Sequence, residues 1–393
     1  MNRFRFNTAR PRRGMLAAAA LLLGASTALA ACGSDSGSDS DASSAAGASG
    51  GSACTEKVAA EHEKNIALKD QDWLPTESPD ASVVKGKSYW VIPLTSAIPT
   101  LADYAQGFKN AGDAVGADVT IFDGKANPAG ITQGVSNAIA AKADAIVLIL
   151  IDPKLIASAM KSAADAGIPV VLGGGSTPKT PFEEGVAAET GQNQEDQGRS
   201  EAIEALRATD CKLNAILVNS PGNNAGDGTT DGIQTAVKEL CPDDCKIQVV
   251  GIQASEVATK TTSSVQNALR RDPSINVVLE IADVFTSYDQ AAIKAVGSKA
   301  KIITSSSIGN LKGTGQDTLV ESSTVYPPGL AHGWYYMQAL INLADGQKDV
   351  IVPYPLGLVD ESNRADDDPS SYSGASPFDG FEDGFKKLWG VAG

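Results

Sequence analysis

Histidine is the scarcest chemistry-bearing residue in this chain: His62 and His332 are the only two in 393 residues. Neither has a candidate nucleophile nearby, no Gly-x-Ser-x-Gly elbow follows a strand-like run, and no pair of acids stands out. Triad and acid-pair hydrolysis therefore lack their residues, and no enzyme activity is expected. No Gly-x-Gly-x-x-Gly follows the first strand-like run and no glycine loop closes on Lys-Ser/Thr, so nucleotide cofactors have no cradle and none is expected. Bases are also short, 32 Lys+Arg against 47 Asp+Glu for a net charge of −15. Such a surface repels nucleic acid and anionic lipid heads. No stretch beyond the first thirty residues is long and apolar enough to span a bilayer.

What is present begins with a leader. Arg3, Arg5, Arg10, Arg12 and Arg13 precede an apolar run from Gly14 to Ala30, the layout of a secretion signal too short for a permanent span. It ends Leu29-Ala30-Ala31-Cys32-Gly33, which resembles the lipobox of bacterial lipoproteins. That resemblance implies cleavage after residue 31 and diacylation of Cys32, since a stable anchor needs at least two acyl chains. The expected location is the extracytoplasmic face of the cell membrane. Cleavage removes five arginines and no acid, leaving 27 bases against 47 acids, a net charge of −20. Residues 32–53, with Gly, Ser, Ala and Asp35, Asp39 and Asp41, read as the lipidated cysteine and a hydrated leash.

Cys54, Cys211, Cys241 and Cys245 remain. Four cysteines in an oxidising compartment predict two disulfides with three possible pairings. Cys211 and Cys245 each precede a strand-like run, which makes their ends candidate neighbours. Cys241-Pro-Asp-Asp-Cys245 has no histidine beside it, so no metal site is expected.

From Lys87 the chain alternates strand and helix. Apolar runs at 88–94, 118–124, 143–152, 168–174, 213–220, 246–252, 275–281, 300–306, 322–326 and 349–354 are separated by helical periodicities. The run at 143–152, ADAIVLILID, is almost unbroken, as in a parallel strand covered on both faces. Repeated βα units give an α/β fold of parallel, doubly wound sheets. About 340 residues after the leash are too many for one core, so two lobes are expected. A helix at 54–70 and Trp73-Leu-Pro75 form an N-terminal extension over 54–85. The tail 360–393 reads as an irregular excursion pinned by Phe378, Phe381, Phe385, Leu388 and Trp389, with helical turns at EDGFKKLW.

In such sheets ligands sit beyond the carboxyl ends of the strands. Those ends offer Asp123, Asn127, Asp152, Asn219, Asn223, Asn224, Asp283, Ser307 and Asn310 as polar partners, and Trp90, Tyr104, Phe285, Tyr288, Tyr326 and Trp334 as aromatic ones. Asp283 and Tyr326 lead, followed by Asp123, Asn127, Asp152, Asn219, Asn223, Tyr104, Ser307 and Asn310. Trp90 and Trp334 suit core packing at least as well.

The ordered series over roughly residues 85–355, about 70% of the chain, resembles the type I periplasmic binding proteins, in particular the sugar-type substrate-binding proteins of ABC transporters. YWVIPL, DGKANPAGITQGVSNAIAAKADAIVLILIDP and the segment running on to GIPVV carry the likeness. It implies two lobes joined by a three-segment hinge with crossings near 191–194, 325–328 and 348–352. Residues 86–191 and 327–348 would build the N-terminal lobe, and 192–326 with 349–359 the C-terminal one. It also implies a monomer that closes on a small-molecule solute and docks on a permease, or a sensor of the same fold that signals to a membrane partner. The usual sugar clamps are altered: Gly174-Gly175 stand in place of an Asp, Thr229-Thr230-Asp231 lack the usual Arg, Ser305-Ser306-Ser307 replace an acid, and Tyr326 replaces a Gln.

Overall fold

The computed structural model describes residues 49–67, 73–175, 177–222, 224–312, 319–365, 368–372 and 378–391. Cys32 and Asn223 lie outside them. Helix α1 (Ser49–Ala67) opens the described chain, and lobe 1 follows as β1 (Ser88–Pro93), α2 (Pro99–Val115), β2 (Asp118–Ile121), α3 (Pro128–Ala140), β3 (Ala145–Ile149), α4 (Ala157–Asp165), β4 (Val170–Gly173) and β5 (Val186–Gly191). Lobe 2 continues as α5 (Gln194–Ala208), β6 (Asn214–Asn219), α6 (Asn224–Leu240), β7 (Lys246–Gly251), α7 (Val257–Arg271), β8 (Val277–Glu280), α8 (Thr286–Val296), β9 (Lys301–Ser307) and β10 (Val320–Tyr326). The chain then returns with α9 (Gly329–Ala344) and β11 (Val350–Pro353), and ends in β12 (Gly357–Val359), β13 (Arg364–Ala365), β14 (Asp368–Tyr372) and α10 (Phe381–Leu388).

Two six-stranded sheets result, ordered β11-β5-β4-β3-β1-β2 and β12-β10-β9-β8-β6-β7. Every pairing is parallel except β10 with β12. The alternation of strand side chains explains the apolar runs. In β3, Ala145, Val147 and Ile149 enter the core under α2 and α9, while Ile146 and Leu148 enter the one under α3 and α4. Covering both faces removes every side chain of that strand from water, worth about 1.5–3 kcal/mol for each large one.

The first two crossings fall at 192–193 and 327–328. The third is displaced. Because Val350 and Val352 are buried and β11 pairs with β5, residues 350–353 belong to lobe 1, and the chain crosses between Pro353 and Gly357 rather than at 348–352. Strand β5 has no apolar run to announce it. Its buried Glu189 and Thr190 are satisfied individually, Thr190 Oγ1 by the Tyr354 hydroxyl at 3.0 Å and Glu189 by the Lys179 N–H at 3.2 Å.

The extensions are more ordered than their composition suggests. The leash expected to reach residue 53 already enters α1 at Ser49; a helix whose buried residues start at Cys54 and Val58 needs a preceding turn to carry its first hydrogen bonds. Cys54 is bonded to Cys211, and Cys241 to Cys245, so Cys245 closes a short loop instead of pairing with Cys211. His62 of α1 places Nδ1 2.6 Å from Glu204 and Nε2 3.6 Å from Asp360, while Arg207 reaches both carboxylates at 3.0 and 3.5 Å. That arginine already supplies the positive charge a metal ion would bring. The tail is not irregular throughout: β13 and β14 form a ribbon beside β10, and α10 lies on α9, where Trp389 stacks on Trp334 at 5.2 Å and donates from Nε1 to Gln338. Trp73 meets Phe378 edge-on at 4.4 Å and accepts from the Tyr335 hydroxyl through its carbonyl.

Candidate functional site

A cavity of about 270 Å³ lies between the lobes. Lobe 1 contributes Leu94, Leu150 and Gly174 from the ends of β1, β3 and β4, and Ile98 to Tyr104 from the entry into α2. Lobe 2 contributes Ser220 after β6, the first turns of α6, Ala254 and Val257 after β7, residues 281–285 after β8, and Ser305 of β9. Gln192, Gln194, Gln197, Tyr326 and His332, at the first two crossings, complete it. A wider groove of about 810 Å³ lies by α1, residues 73–77 and residues 351–356. Its lining comes from helices and the extensions, so the smaller cavity, where both lobes present strand ends, is the candidate site.

The crossings build a polar surface whose hydrogen bonds are only partly used. Gln192 Nε2 donates to Gln197 Oε1 at 3.1 Å, Gln197 Nε2 donates to Ser305 Oγ at 2.8 Å, and Thr229 Oγ1 donates to Gln194 Oε1 at 3.2 Å. Gln192 Oε1 and Gln194 Nε2 are buried and have no partner among the described residues. Glu201 lies one turn beyond Gln197, fully buried; desolvation drives its carboxyl well above the usual range.

His332 is the centre of an aromatic group. Tyr104 stacks on its ring at 3.9 Å, while Tyr326 and Tyr354 meet it edge-on at 5.9 and 4.4 Å. Burial lowers its pKa to about 3, so the imidazole is neutral. Its Nε2 lies 3.0 Å from the Pro327 carbonyl and must carry the hydrogen, which leaves Nδ1 a bare, unpaired acceptor. Burial likewise pushes the Tyr104 and Tyr326 hydroxyls up.

Asp283 is the one carboxylate in the lining, and no Lys or Arg is present among the described lining residues. Desolvation raises its pKa, opposed by Ser306 Oγ donating at 2.6 Å and by the Asn310 amide. Both side-chain donors go to Oδ2, so Oδ1 is the oxygen left to meet a solute.

Of the residues expected from sequence, Tyr104, Asp283, Tyr326 and Phe285 line the cavity together. Asn310 and Ser307 stand directly behind them. Asp123, Asn127 and Asp152 do not reach it, because they serve local backbone: Asp123 accepts from the N–H groups of Ser96 and Lys125, Asn127 caps α3, and Asp152 accepts from Lys154 N. Asn219 is buried at the end of β6 with Oδ1 unpaired, outside the lining. Trp90 packs by Phe122, Trp334 belongs to the core of lobe 1, and Tyr288 stays outside the lining. Sequence reasoning missed the three glutamines and His332. The signal was there in Gly191-Gln-Asn-Gln-Glu-Asp-Gln197, three glutamines spaced across a crossing and the first turn of the next helix.

The model of a periplasmic binding protein domain matches residues 89–348. Among solved structures the chain is similar to an ABC sugar transporter subunit from Rhodobacter sphaeroides, 17% identical with a TM-score of 0.62 over 71% of this chain and 100% of that one. It is also similar to an ABC transporter solute binding protein from Agrobacterium vitis bound with alpha-D-tagatopyranose, 19% identical, TM-score 0.63, over 73% and 100% of the two chains. A third is the 5-methylthioribose transporter solute binding protein from Thermotoga lettingae, 19% identical, TM-score 0.62, over 74% and 88%. At these identities the likeness is one of fold. No curated protein matches the sequence.

Proposed function

The chain belongs to the periplasmic binding protein family, and on that premise we propose that it captures a small polar solute, a sugar or related polyol, between its lobes and delivers it to the permease of an ABC importer. The observation that carries this reading is the cavity itself: strand ends of both lobes meet there, and buried Gln192 Oε1, Gln194 Nε2 and His332 Nδ1 have no partner among the described residues. Unpaired buried groups cost roughly 1–3 kcal/mol each, so a hydroxylated solute that satisfies them favours the state in which both lobes touch it. Asp283, Tyr104 and Tyr326 would face that solute, with Ser306 and Asn310 holding Asp283; no bond in it is broken. A volume of about 270 Å³, near the lower end of the ~300–1,000 Å³ typical of ligand clefts, suits a monosaccharide-sized molecule. The structures from Agrobacterium vitis and Thermotoga lettingae hold a ketohexose and an alkylthio pentose in the same fold.

A thermal-shift and calorimetry screen of the purified protein with pentoses, hexoses, inositols, polyols and amino acids tests this reading. Saturable binding of a neutral hydroxylated solute is expected, and Asp283→Ala should weaken it at least tenfold, about 1.4 kcal/mol, because a hydroxyl and the Ser306 and Asn310 donors lose their acceptor. No binding by any such solute would sink the proposal.

The same reading makes Cys32 the lipid-bearing N-terminus of the mature chain and the membrane its tether, which raises the local concentration of receptor at its permease without adding contacts to the solute. A Cys32→Ser variant is expected to move from the membrane fraction to the soluble one. Retention on the membrane would remove the anchor.

A further inference from the structure

We propose that the solute this cleft selects carries no negative charge and has an alkyl group, or lacks a hydroxyl, on one face: an O-alkylated or deoxygenated sugar or polyol rather than one with hydroxyls all round. This rests on the solute-capture reading above and goes on to name the class of ligand. The crossings contribute polar atoms with no partner among the described residues, Gln192 Oε1, Gln194 Nε2 and His332 Nδ1, and lobe 2 adds the carboxylate of Asp283. Each lobe wall carries an apolar stretch beside its polar residues, Thr100 in lobe 1 and Ser220 and Asp283 in lobe 2. Ile98, Leu101 and Leu150 come from lobe 1, and Val257, Ile281 and Val284 from lobe 2.

Two of these stand out among the large apolar side chains of the protein. Ile98 is 47% exposed and Val284 51% exposed, and they belong to opposite lobes of one cavity. Singly exposed apolar residues need no explanation; a pair contributed to the same cleft from two lobes is surface that a partly apolar solute would cover. A hydroxyl pressed against these walls would lose its water without gaining a partner, while each buried CH₂ gains about 0.8 kcal/mol, close to fourfold in affinity. The balance therefore favours a substituent over a hydroxyl on that face. Charge is excluded on one side by the same lining: an anion would meet Asp283 with no Lys or Arg to offset it.

The test is calorimetric titration of the purified protein with matched sets, each pentose, hexose or inositol alongside its single-deoxy, O-methyl and O-ethyl derivatives at each position. For the parent that binds, at least one derivative is expected to bind about fourfold tighter as the methyl ether and about fifteenfold tighter as the ethyl ether. An Ile98→Ser, Val284→Ser variant, altered at exposed positions, should bring the derivative-to-parent affinity ratio to within twofold of one. If a parent sugar binds and every derivative binds more weakly, this inference falls and solute capture stands. If the preference survives in the double variant, the walls are not its source and the assignment falls. If no parent and no derivative binds, both readings fall together.

Discussion

A Gly333→Ala variant is expected to lose about 3 kcal/mol or more of stability, read as a clear fall in the urea midpoint. The reason is the distance between α2 and α9. A Cβ on Gly333 would sit 1.8 Å from the backbone nitrogen of Phe108, and one on Gly107 only 1.9 Å from the Leu330 carbonyl oxygen. Each contact is with backbone, so no side chain can rotate away; the helices themselves must separate. His332 is the neighbour of Gly333, and separation would pull its ring from Tyr104 and open the candidate site. Gly175→Ala is the control. Its Cβ would find nothing nearer than Leu150 Cα at 3.6 Å, and a change within about 1 kcal/mol is expected. Equal midpoints for Gly333→Ala and the wild type would show that the two helices are not held at this spacing. Lobe 2 uses the same device, with Gly198 facing Thr229 O at 2.1 Å and Gly232 facing Glu195 O at 2.2 Å, so each lobe sets a close-packed helix pair next to the hinge.

That repetition shows why the fold was legible in the sequence and the site less so. Buried parallel strands announce themselves, because both faces of ADAIVLILID must be apolar, and the helices between them carry the 3.6-residue period. β5 escaped because its Glu189 and Thr190 are buried by individual hydrogen bonds, not by an apolar pattern. β11 was assigned to the wrong lobe because VIVP shows that a strand exists and says nothing about which sheet edge it joins. Site residues raise a harder problem. Asp123, Asn127 and Asp152 look identical in sequence to Asp283: a polar residue just past a strand. What separates them is whether a backbone N–H two or three residues on takes the side chain, as it does for all three. His332 was invisible for a further reason. It sits on an apolar helix, and only the return of that helix past the second crossing brings its ring to Tyr104 and Tyr326.

Glu280 and Asp289 make the stability of lobe 2 depend on pH. Both are wholly buried in lobe 2; desolvation raises both carboxyls, Asp289 to about 7 from an ordinary 3.8, and the charge of Asp289 raises Glu280 further. Thr286 donates to Glu280, which opposes the shift without cancelling it. A carboxyl with a higher pKa in the folded state binds its proton more tightly there. Its stabilising contribution is complete below the unfolded value and is lost as pH rises through about 7. Between pH 5 and pH 8, Asp289 alone accounts for a loss on the order of 3 kcal/mol. His332 acts in the opposite sense: with its pKa lowered to about 3, its contribution is present above the unfolded value near 6.5 and is lost as pH falls, on the order of 2 kcal/mol by pH 5. His332 opposes the raised acids, Glu201 and Asp283 included, so the wild-type profile does not isolate this pair. A Glu280→Gln, Asp289→Asn variant removes the contribution of the pair alone. Its urea-derived stability should rise relative to the wild type by on the order of 3 kcal/mol on going from pH 5 to pH 8. Parallel profiles for the two proteins would show that the buried acids do not hold their proton through this range.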